Sequence, residues 1–115
     1  MNEAQIEALK TADEYLDKLK SGINKAVNLF ENDKQERGCD YLALISKGIE
    51  WIVEVVSLTK ESQKEEIEIQ NINEHLESIV EALENEDYTL VGDLLNYEVL
   101  PILENVHEKI KESVK

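Results

Sequence analysis

Cysteine is nearly missing from this chain: Cys39 is the only one in 115 residues. No disulfide can form within it, which suits a reducing compartment. Proline occurs once and glycine four times, too few to punctuate the many turns of a β-sandwich or barrel. Aromatic residues make up only 5%. No apolar run approaches the roughly 20 residues that cross a bilayer. Met1-Asn2-Glu3-Ala4-Gln5 has neither the basic nor the apolar region of an export leader. Positive charge is also scarce. Twelve Lys and Arg face 26 Asp and Glu, for a formal net charge of −14. Nucleic acid is then a poor partner, because binding phosphates takes a basic patch that displaces counterions. An anionic membrane surface is disfavoured for the same reason. The expectation is a cytoplasmic protein without nucleic-acid or membrane partners. A basic protein partner is allowed, although high net charge by itself chiefly serves solubility.

What the chain has in quantity is Ile, Leu, Val, Glu and Lys, a mixture that favours helix. Its length fits one domain, 1–115. Four segments carry helical periodicity. Leu9, Ala12, Leu16, Leu19, Ile23, Ala26 and Phe30 alternate steps of three and four, which predicts one helix from about Glu3 to Glu31. Gly22 lies inside that run without disturbing its phase. Asn32-Asp33 ends it, and Asp33 with Glu36 has the spacing of a capping box for a second helix. That helix has the seam Leu42, Ile45, Ile49, Ile52 and Val56. Gly48 precedes Ile49 as Gly22 precedes Ile23, a pairing that would suit two closely approaching backbones, or coincidence. Ser62 with Glu65 reads as a third helix start. The third seam is Ile69, Ile72, Leu76, Ile79 and Leu83, ending at Asn85-Glu86-Asp87. The fourth seam is Leu95, Val99, Ile102, Val106 and Ile110. Short breaks between such helices predict an all-α, antiparallel up-down-up-down four-helix bundle.

The helices are unequal. The third has a narrow apolar stripe in an acidic remainder. The second carries Leu44, Trp51, Val55 and Leu58 away from its seam, and the fourth likewise carries Leu90, Leu94, Tyr97 and Pro101. A helix apolar nearly all round is normally buried on more than one side. Three explanations stand: a wide core, a second copy of the chain, or a docking surface for a protein partner. Those eight residues are the candidate interaction surface, with Trp51 and Tyr97 as aromatic anchors. Pro101 lacks an N–H and clashes with the carbonyl four residues back, so it should kink the fourth helix or end a turn. Glu98, at the edge of that seam, reads as a partly buried carboxylate paired to a Lys or Arg, or as a ligand for something at the kink.

Chemical motifs are sparse. Glu104-x-x-His107 has the spacing of a di-iron bundle motif, but such sites need a second copy, and His75 has Ile72 three residues before it. Glu65-x-x-Glu68 and Glu84-x-x-Asp87 are spaced like magnesium-binding acid pairs, yet an acid-rich segment yields such spacings freely. Cys39 has Arg37 nearby and no evident activating histidine. Phosphate-loop, dinucleotide and nucleophile-elbow signatures are not found. No catalytic, metal or cofactor site is expected.

The stretch Asp93-Leu94-Leu95-x-Tyr97-Glu98-x-x-Pro101-x-Leu103, supported by Gly48-Ile49-x-Trp51, resembles a family of uncharacterised small acidic helical-bundle proteins of Gram-positive bacteria. That resemblance implies a fold and no activity. In layout alone the chain also looks like flagellar export chaperones, helical bundles that hold the helical tail of a substrate. The functional expectation is a non-catalytic interaction module, adaptor or chaperone-like, that binds an amphipathic helix of a partner. The alternatives are a structural homodimer and, further off, a carboxylate metal enzyme.

Overall fold

The computed structural model describes residues 2–115. The described residues form four helices and no strand. Helix α1 spans Glu3–Glu31, with the Asn2 side chain accepting from the Gln5 amide at 3.2 Å. Its buried stripe is the one its periodicity predicts, widened by Val27. The helix ends in a tight turn. The Lys34 amide donates to the Leu29 carbonyl at 2.8 Å, and Asp33 takes a positive φ of 58°. This six-residue closing bond is the Schellman arrangement. It corrects the capping box: Asp33 belongs to the end of α1, and α2 (Gln35–Leu58) begins at Lys34 without a side-chain cap.

A larger correction concerns the third helix. Ser62 closes a 3₁₀ turn, Lys60–Ser62, and its hydroxyl donates to Gln5 Oε1 at 2.9 Å instead of capping a helix. Residues 63–71 then cross the end of the molecule outside any helix. Gln63 stands in for secondary structure here. Its amide donates to the Val56 carbonyl at 2.8 Å, and its oxygen accepts from the Ile67 amide at 3.0 Å. The Lys64 amide donates to Ser113 Oγ at 3.0 Å. Ile67 and Ile69 alternate with Glu66, Glu68 and Gln70, and both isoleucines are buried. Period-two burial is the mark of extended chain. Helix α3 therefore spans only Ile72–Glu84.

Asp87 caps the next segment by accepting from the Leu90 amide at 3.1 Å. From there α4 (Tyr88–Leu94), a π turn (Leu95–Val99) and α5 (Leu100–Val114) follow without a break and make the fourth helix. Pro101 sits exposed at the start of α5 and does not end the helix. Just before it, in the π turn, the Leu100 amide reaches back five residues to the Leu95 carbonyl. The π turn changes the phase. The buried positions run Val91, Leu95, Val99, Leu103 and His107, in steps of four, so Leu103 takes the place expected of half-buried Ile102.

The core forms around α1. At one end Phe30 stacks on Tyr88, with ring centroids 6.2 Å apart, and lies against Gly38. Midway, Asp13 Oδ1 and His107 Nε2 are 2.7 Å apart, joining α1 to α5, with His107 only 2% exposed. Helices α2, α4 and α5 all pack closely on α1, whereas α3 rests on α4 and the π turn. His75 Nε2 lies 3.7 Å from Glu98 Oε2 and helps seat α3 there. Glu98 thus faces a histidine rather than the Lys or Arg its sequence position suggested.

The two Gly-Ile pairs prove unlike. A Cβ on Gly48 would overlap Tyr15 Oη and come within 3.0 Å of Leu19 Cδ1, whereas one on Gly22 meets nothing within 4 Å. Gly48→Ala should therefore lower stability by about 1–3 kcal/mol through overpacking. Gly22→Ala should raise it by up to about 1 kcal/mol, because alanine is the better helix former. Chemical denaturation of both variants checks the contrast. Asp13→Ala leaves His107 without its partner and should cost about 1–3 kcal/mol in the same assay.

Candidate interaction groove

Helices α2 and α3 face one another without closing. In a bundle of four helices, two long neighbours normally interdigitate along their length. Here α3 is thirteen residues long and leans toward α4. The result is an apolar groove of about 280 Å³. Cys39, Leu42, Ala43 and Ser46 form its α2 wall, Leu76, Val80 and Leu83 its α3 wall, and buried Ile45, Ile79 and Leu95 its floor. Val80 is 54% exposed in the α3 wall. Burying the exposed half of this valine is worth about 1 kcal/mol, so it adds to the adhesion that the other groove walls supply.

The groove follows from local sequence. Along α2, residues 39, 42, 43 and 46 recur at steps of three and four, as do 76, 80 and 83 along α3. Leu42, Leu76 and Leu83 belong to the predicted seams but are only half-buried. They are seam residues whose partner helix does not reach them. Val80 went unremarked in the sequence. Its adjacency to Ile79 widens the apolar stripe of α3, and that signal was available.

The eight residues singled out in the sequence do not gather into one site. Val55 is buried in the core at 6% exposure, which removes it from any interaction surface. Leu44 and Trp51 line a second, larger and more open cleft of about 590 Å³ with Thr11, Tyr15, Lys47 and Gly48, on the α1 side of α2. Trp51 is already engaged there, edge-on to Tyr15 with ring centroids 5.5 Å apart. Leu58 is exposed near the end of α2. Leu90, Leu94, Tyr97 and Pro101 lie along the fourth helix. Tyr97 is 68% exposed, while Leu94 is half-buried against the core.

Titratable chemistry in the groove is limited to one thiol. Burial pushes the Cys39 thiol above its usual pKa, and the Asp40 carboxylate acts in the same direction. Less thiolate is then present at neutral pH, and the thiolate is the reactive form. Among the described residues, no three of His, Cys, Asp and Glu gather as metal ligands. His107, the histidine of Glu104-x-x-His107, is turned to Asp13. Among the described residues, no helix is long and apolar enough to cross a membrane. Alkylation of Cys39 by iodoacetamide should run slower in the folded protein than in urea near pH 7, and the gap should narrow as pH rises. Mass spectrometry of quenched samples measures both rates.

No curated protein and no solved structure matches the chain. Residues 7–109 match the family described as a domain of unknown function, DUF8042. With the match running from within α1 to within α5, the chain belongs to that family.

Proposed function

We propose that this protein is a non-catalytic interaction module of the cytoplasm that receives an amphipathic helix of a partner protein in the α2–α3 groove. The observation that carries the reading is an apolar seam left open along two helices. Such a seam suits a guest helix presenting residues at i, i+3 or i+4, and i+7. The antiparallel up-down-up-down course belongs to the same proposal. It is supported by Phe30 meeting Gly38 across the first turn and by Ser62 reaching Gln5 at the other end. The proline kink is proposed on the π turn just before Pro101, since such turns bend helices. An adaptor or chaperone-like role needs no chemistry beyond reversible burial of an apolar ridge.

A second reading is a structural homodimer. It is favoured by the exposed row of Leu90, Tyr97 and Pro101 on the fourth helix. The probe that separates the two is a peptide of about 18 residues, five helical turns, with a leucine ridge and a neutral polar face. In methyl-resolved NMR its addition should shift Leu42, Val80 and Leu83. Val80→Asn should weaken binding about tenfold, in line with losing the burial of one valine. Shifts centred on Leu90, with a concentration-stable dimer by light scattering, would overturn the groove reading in favour of self-association.

A further inference from the structure

We infer that the helix received in the α2–α3 groove is a cationic one, an apolar ridge flanked by lysine or arginine; this rests on the groove reading above. The charge around the groove is predominantly negative. From residue 65 to 108 the chain carries thirteen Asp and Glu and no Lys or Arg. All of α3 and the π turn lie in that stretch. Glu77 and Glu84 follow Leu76 and Leu83 directly, so both sit about 100° further round the helix from groove-lining residues, and both are exposed. Among the described residues no ion pair involves Glu77, Glu81 or Glu84.

The opposite wall is also more acidic than basic. Glu36 and Glu50 lie seven residues either side of groove-lining Ala43 and therefore on the same row of α2. Helix α2 carries two cations, and one of them shares this edge. Lys47 follows groove-lining Ser46 and lies between the groove and the cleft with Trp51, whereas Arg37 lines a depression with Lys25 and Lys34. The α3 edge of the apolar groove is thus wholly acidic, and the α2 edge sets Glu36 and Glu50 against the single Lys47. Apolar burial supplies adhesion while the rim charge steers encounter and rejects wrong partners. A second copy of this chain is a poor occupant. It brings another net −14, and its most amphipathic stretch, α3, carries only acids among its charged residues.

The test uses the full-length protein and three peptides sharing one leucine ridge, with polar faces built from Lys, Gln or Glu. The lysine peptide should bind about tenfold more tightly than the glutamate peptide at low salt, and the difference should shrink as salt shortens the Debye length. Glu77→Gln with Glu84→Gln, at exposed positions that leave the core untouched, should reduce that preference. Val80→Asn should weaken the lysine peptide too, which ties binding to the groove. Equal affinity for all three peptides overturns the cationic-partner inference and leaves the groove reading standing. Lysine-peptide binding indifferent to Val80→Asn overturns the inference as well, because the peptide then sits elsewhere. Failure of all three to bind overturns the groove reading itself.

Discussion

Leu9, Ala12, Leu16, Leu19, Ile23, Ala26 and Phe30 form a continuous buried stripe along α1, and α2, α4 and α5 are held by packing on it. Helix α3 has no such purchase. It buries Ile72, Ile79 and Ala82, and its close neighbours are α4 and the π turn. Three buried positions against the eight of α1 make it the least anchored helix of the four. The segment before it explains why. Residues 63–71 are spent crossing the end of the molecule, with Ile67 and Ile69 closing the core there. What remains is too short and too far over toward α4 to meet α2. The groove is therefore a consequence of connectivity and not a local flaw in packing.

That geometry joins two properties a docking site needs. The floor has a firm base in Ile45 of α2 and Leu95 of the π turn, both buried core residues. One wall is lightly held and can adjust to a guest, since elements with few buried contacts are the ones that move at least cost. The electrostatic setting adds direction. Acids without cations along α3 leave a field that salt bridges do not quench, and apolar side chains at the base of such a field select for amphipathic cations over neutral hydrophobes.

Much of the fold was legible in the sequence, because α1, α2 and the fourth helix carry long uninterrupted periodicity. Asn85-Glu86-Asp87 was readable as a break, and there Glu86 adopts a φ of 55°. The misreadings have physical causes. Asp33-x-x-Glu36 and Ser62-x-x-Glu65 have capping-box spacing, but that pattern occurs freely where acids are abundant, and Asp33 was already committed to closing α1. Ile69 is in register with Ile72 and so passed for helix, while its alternation with Ile67 was the better signal. The candidate site was legible only in part. Wheel positions revealed surplus apolar surface on α2, yet they could not tell that Val55 turns inward or that the α1 side of α2 pairs Trp51 with Tyr15. They also could not show that seam residues Leu42, Leu76 and Leu83 lack a closing partner, because a seam predicts which face is apolar and not whether another helix arrives to cover it.

The openness of the α2–α3 seam is the central claim, and solvent paramagnetic relaxation of the methyl groups measures it most directly. With a soluble paramagnetic agent, the methyls of Val80 should broaden nearly as much as those of exposed Leu58, and those of half-buried Leu42 and Leu83 to an intermediate degree, while those of Leu16 and Ile52, which are fully buried, stay sharp. Groove methyls as protected as Leu16 in the free protein would mean that the seam is closed in solution, and the account built on it would fall.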